Sequence, residues 1–208
     1  MSEDSIIRSR LHAYSSELLT FLNSSRLRQV DKQLKQLIQT IEKADFKKLS
    51  AAGGIRGFFR IGRVKKSRST FSNFKQLEVQ IDKLHLHLEM ISKNELINEL
   101  ERIEVLKVKY QKLLIELNDQ SSSISEDESN WNQSILSEAF SQVLSMEASL
   151  NYYLKSVEKV IITTIPSWKK QFQAAMDLAV EAASFKEMNK IHSELLTDIS
   201  ILAYHEKN

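Results

Sequence analysis

Cysteine is absent from this 208-residue chain, proline occurs once and glycine four times. Without cysteine there are no disulfides, no zinc–thiolate sites and no thiol nucleophile or sulfur redox chemistry. So few Gly and Pro argue against a turn-rich β architecture. Long apolar runs are missing too. The longest stretches, such as Val160-Ile161-Ile162, fall far short of the roughly 20 residues that span a bilayer. The N-terminus (MSEDSIIRSR) opens acidic and has no signal-like apolar stretch. Together these features predict a cytoplasmic protein, with association at the inner face of the membrane still open.

What is present is Leu, Ile, Lys, Glu and Gln, with 42% apolar and 27% charged residues, a composition that favours helices with one buried stripe and one wet face. The predicted fold is all-α: an elongated bundle of four to six helices with coiled-coil-like packing in a single domain, 1–208. Apolar periodicity places helices over about 5–50, 70–118, 131–165 and 166–204. Between them lie a basic Gly-rich connector, 51–69, and an acidic Ser-rich linker, 118–130. A weak patch at Asn23-Ser24-Ser25 admits a break in the first helix. Leu77, Ile81, Leu84, Leu88 and Ile91 step by three and four, as do Ile103, Leu106, Tyr110, Leu113 and Leu117. The two runs are out of phase near Glu95. Pro166 lacks an N–H and clashes one turn back, so it should end or kink a helix near Ile165, or open a new one.

Catalytic and metal-binding constellations are not predicted, and neither is a cofactor. His85 and His87 are two residues apart and point about 200° away from each other on a helix. His12, His192 and His205 have no local partner at ligand spacing. Carboxylate pairs such as Glu95/Glu99 and Glu101/Glu104 are mixed with cations, as in Glu99-x-x-Arg102 and Glu104-x-x-Lys107, which reads as a salt-bridged face. Trp168, Phe172, Met176, Phe185 and Met188 sit at helical spacing and suit a core. Gly53-Gly54-x-x-Gly57 lacks the Lys-Ser/Thr ending of a phosphate loop.

Charge distribution is the one feature that packing does not explain. Lys47, Lys48, Arg56, Arg60, Arg63, Lys65, Lys66, Arg68 and Lys75 lie between Phe46 and Leu77 with no acid among them. Against a net charge of +2 for the chain, these nine leave the remainder at −7. As a connector the segment simply docks on the acidic body. As a functional element, Arg56, Arg60, Arg63, Lys65, Lys66 and Arg68 would bind an anionic surface, with Phe58 and Phe59 making apolar contact. Arg and Lys beside apolar rings suit anionic lipid headgroups or a protein partner. Nucleic acid is the alternative, in which the rings stack on bases. Helical faces offer a protein partner or self-association.

The order of features, GGIRGFFRIGRVKK, then FSNFKQLEVQIDKLHLHLE, then NELINELERIEVLKVKYQKLLIEL, resembles the TelA-like toxic anion resistance family. The later run VEKVIITTIPSWKKQFQAAMDLAVEAA resembles it further, through the turn formed by Thr163, Thr164, Pro166, Trp168 and Gln171. The resemblance spans about 45–185, and the chain is short beside typical members. It implies a cytoplasmic bacterial helical protein linked to tolerance of tellurite and envelope-directed agents, with no established catalytic mechanism. Combined with the lack of cysteine, it points to a non-enzymatic scaffold or adaptor.

Overall fold

The computed structural model describes residues 3–24, 27–43, 64–120, 126–177 and 182–204. Among these, all but Lys43 are helical and none lies in a strand. The all-α expectation therefore holds. The helices are α1 (Glu3–Ser24), α2 (Leu27–Glu42), α3 (Val64–Met90), α4 (Ile97–Gln120), α5 (Glu126–Lys159), α6 (Ile165–Asp177) and α7 (Ala182–Tyr204). A first π turn, Ile91–Leu96, joins α3 to α4, and a second, Val160–Thr164, joins α5 to α6.

Both π turns follow from the spacing of the buried residues. Steps of three and four bring Leu77, Ile81, Leu84, Leu88 and Ile91 inward, and the next buried apolar residue, Leu96, lies five further on. From Val160 the next is Ile165, again a step of five. An α-helix would swing the second residue of each pair off the core face. A π turn, with its i→i+5 bonding, absorbs the extra residue. In the second turn the Ile165 N–H donates to the Val160 carbonyl, five residues back. The phase slip near Glu95 is thus a local widening of one helix.

Of the two expectations for Pro166, a helix ended or kinked near Ile165 or a new one opened there, the structure has the second: α6 begins at Ile165 with Pro166 in its first turn. Helical structure runs without interruption from Glu126 to Asp177, and exposed Pro166 sits in the first turn of α6, where its fixed φ fits. Two boundaries move. Beyond Gly62 no residue opposes helix formation, so α3 begins at Val64, inside the span read as connector. Residues 126–128, read as linker, are helical and form the first turn of α5. Of the weak patch at 23–25, Asn23 and Ser24 are helical in α1, and Ser25 lies outside the described residues.

Where the sequence suggests one domain, contacts group the residues into two compact units: 1–27 with 94–152, and 28–93 with 153–208. In the first, α1 lies antiparallel on α4. Tyr14 meets Tyr110 edge-on at 5.9 Å, Lys109 pairs with Glu17 at 2.7 Å, and Arg10 with Glu116 at 2.8 Å. Ile7, Leu11, Leu18 and Phe21 of α1 are buried with Ile103, Leu106, Leu113 and Leu117 of α4. One acid sits on the buried stripe: Glu99, which pairs with Arg102 at 3.1 Å, whose guanidinium lies 4.8 Å over the Phe21 ring. Lys107 bonds Glu104 and Glu147, which hold its ammonium above the usual lysine range, Glu104 contributing most. Both i,i+3 pairs expected from the sequence are present. The interhelix pairs Arg10–Glu116, Lys109–Glu17 and Lys107–Glu147 fix the register of α1 and α5 against α4.

In the second unit α7 packs on α6 and on the second π turn, and α3 packs on the same two elements. Lys169 of α6 pairs with Asp82 of α3. Its core draws on Leu34, Ile38 and Ile41 of α2, Ile81, Leu84 and Leu88 of α3, Trp168 and Phe172 of α6, and Met188, Leu195 and Ile199 of α7.

Candidate functional site

The second π turn brings together polar side chains that the sequence keeps apart. Thr164 is buried against α7 and donates its hydroxyl to Asp198 Oδ2 at 2.7 Å. Lys159, one turn earlier, donates to Asp198 Oδ1 at 2.7 Å. The widened turn thus aims Thr164 at α7, and a single carboxylate ties α5 and the π turn to α7. Beside this knot is an open groove of about 630 Å³, lined also by Thr163, Ser167, Lys190, Ser193, Glu194 and Thr197. π turns inside α-helices recur at functional sites, which makes this groove the candidate site of the second unit.

Its chemistry is recognition by hydrogen bonding. Ser193 donates to the Asn189 carbonyl and Thr197 to the Ser193 carbonyl, both at 2.9 Å. Those hydroxyl protons go to the helix backbone, so the oxygens face outward as acceptors. Asp198 is occupied on both oxygens by Thr164 and Lys159. It is an orienting anchor, each oxygen held by one donor.

Under the groove, α6 and α7 are held by Trp168 and His192. Trp168 is fully buried and stacks on Phe172 with ring centroids 4.7 Å apart. Its indole N–H donates to His192 Nδ1 at 3.1 Å, so Nδ1 is the unprotonated nitrogen of a neutral ring. Burial pulls the His192 pKa down from 6.5 to about 4, against a smaller opposing effect from a hydrogen bond with the Ile41 backbone. The imidazole is therefore a structural acceptor at neutral pH.

The residues singled out from sequence separate into three groups. Arg56, Phe58, Phe59, Arg60 and Arg63 lie outside the described residues. Lys65, Lys66 and Arg68 lie in the first two turns of α3, on a helix where a connector was expected. Thr163 and Thr164 line the groove, while Pro166 is exposed, Trp168 is core and Gln171 is half-buried. The quoted turn is thus part groove lining and part core. Lys159, His192 and Asp198 escaped sequence reasoning because their partners lie 24 to 39 residues away. Among the described residues no group of three His, Cys, Asp or Glu could hold a metal ion, and no helix is long and apolar enough to cross a membrane.

No curated protein and no solved structure matches the chain. The toxic anion resistance protein (TelA) family model matches residues 7–149. That stretch takes in the basic Gly/Phe segment and α4, and stops before the Thr163–Gln171 turn and the groove. The match covers well over half of the sequence, and the chain belongs to the toxic anion resistance (TelA) family.

Proposed function

We propose that this chain acts in toxic-anion resistance as a non-enzymatic helical scaffold or adaptor, engaging partners through outward helix faces. Family membership supports the role in toxic anion resistance. The observation that carries the scaffold assignment is a solvent-facing apolar stripe on α3. Val79, Leu86 and Met90 follow at steps of seven and four, opposite the buried Leu77, Ile81, Leu84 and Leu88. Leu86 and Met90 are each 63% exposed. Aligned exposed apolar residues on a soluble surface mark interaction sites.

Leu86→Glu with Met90→Glu places charge on that stripe without touching the core. In cells that depend on this protein for tellurite tolerance, the double variant is expected to lose most of the tolerance. Its melting temperature should stay within a few degrees of the parent. Undiminished tolerance would rule out the α3 face as the working surface.

The basic segment, Arg56 to Arg68, is assigned contact with an anionic surface, with Phe58 and Phe59 inserting at the interface. Co-sedimentation with vesicles containing anionic lipid, and not with neutral ones, is expected. Equal binding after neutralising Arg56, Arg60, Arg63, Lys65, Lys66 and Arg68 would refute it. Binding to nucleic acid that weakens steeply with salt would support the alternative partner for the same charges.

A further inference from the structure

The outer face of α4 carries a second apolar stripe, distinct from that on α3. Ile97, Val105, Val108 and Ile115 are 44%, 52%, 39% and 61% exposed. At 3.6 residues per turn, Ile97, Val108 and Ile115 fall within about 20° of one another and Val105 lies about 60° further round. Buried Ile103, Leu106, Tyr110, Leu113 and Leu117 occupy the opposite side. Two exposed charges, Glu101 and Lys112, lie within the same face, between Val108 and Val105 round the helix, and exposed Glu104 borders it beside Ile97.

This pattern is self-complementary when the helix is reversed. Turning α4 end for end about the point between Leu106 and Lys107 sets Val105 against Val108 and Glu101 against Lys112. It also brings Ile97 to within one residue of Ile115. A parallel pairing would instead set Glu101 against Glu101 and Lys112 against Lys112, like charges that repel.

The geometry points to a second copy of this chain as the occupant: two α4 helices pair antiparallel across a two-fold axis between Leu106 and Lys107. An isologous contact of this kind uses the same patch on both copies, as two-fold dimers do. Each copy contributes only four apolar side chains, so the association is weak, with a dissociation constant on the order of micromolar or above. This inference rests on the scaffold function and adds the identity and register of one partner.

Sedimentation equilibrium of the full chain over a concentration series tests it. The parent is expected to rise from monomer toward dimer mass. Glu101→Lys, and separately Lys112→Glu, should each raise the dissociation constant by about tenfold or more, because each sets like charges across the axis. The double reversal E101K/K112E should return it to within about threefold of the parent, and Val108→Glu should leave a monomer. A parent that stays monomeric throughout, or a double reversal no tighter than the single ones, would overturn the antiparallel pair. A monomeric parent still leaves the α3 face and its tolerance assay untouched, so the two failures are separable.

Discussion

Trp168→Ala is expected to lower the unfolding free energy by about 4 kcal/mol, among the largest losses from a single side chain here. The indole is fully buried and stacked on Phe172, so its removal forfeits apolar burial and leaves a cavity in the joint of α6 and α7. The cost is large because that joint holds the second unit together: Trp168 also donates to His192 of α7. Trp168→Phe keeps an aromatic ring and loses mainly the donor and some volume, so a loss of about 1–2 kcal/mol is expected. Urea unfolding of the full chain reads both values. A loss below about 1 kcal/mol for the alanine variant would mean that the α6–α7 joint does not depend on this residue.

Stability is also expected to fall as pH drops from 6.5 toward 4. His192 titrates near 6.5 when unfolded and at about 4 when buried, because the folded chain disfavours the charged ring. Between those values the unfolded chain binds the proton and the folded chain does not, so acidification favours unfolding. The contribution is fully present above 6.5 and lost by about pH 4. The shift corresponds to roughly 3 kcal/mol at most. Protonation would also set the imidazolium Nδ1–H against the indole N–H, two donors facing one another. His192→Gln removes the titrating group and is expected to flatten this part of the stability–pH curve, at some cost in stability at neutral pH. A parent curve already flat from 6.5 to 4.5, or an unchanged slope in the variant, would contradict the assignment.

Features set by neighbours one turn apart were legible in the sequence. The 3/4 steps of Leu77 to Ile91 and of Ile103 to Leu117 are the buried stripes of α3 and α4. The phase slip between them is a π turn. Glu99–Arg102 and Glu104–Lys107 are ion pairs at i,i+3, although Glu99 turned out to lie on the buried stripe, where Arg102 satisfies it. For Pro166 the sequence leaves two outcomes open, and the structure has the one in which proline stands in the first turn of a helix, where no α bond one turn back is required of it. A π turn just before it changes that bonding and lets the helix continue.

The groove was half legible. Thr163 and Thr164 stood out only through the family resemblance, and nothing local foretold that Asp198 would bridge Lys159 and Thr164. His192 showed no partner at ligand spacing because its partner, Trp168, is 24 residues away and stands on another helix. Such pairings depend on how helices return past each other, which periodicity within one helix does not encode. The exposed stripes of α3 and α4 have the opposite character. They are written in the sequence at heptad-like spacing, but only burial shows which apolar residues face outward.

The central claim is that resistance works through helix faces and not through chemistry in the groove. Its most direct test is tellurite tolerance conferred by a variant combining Thr163→Ala, Ser167→Ala and Lys190→Ala. All three side chains are exposed on the groove wall, so the fold should not change. Tolerance within about twofold of the parent is the expected result. Collapse of tolerance with an unchanged melting temperature would place the working chemistry in the groove and contradict the scaffold function.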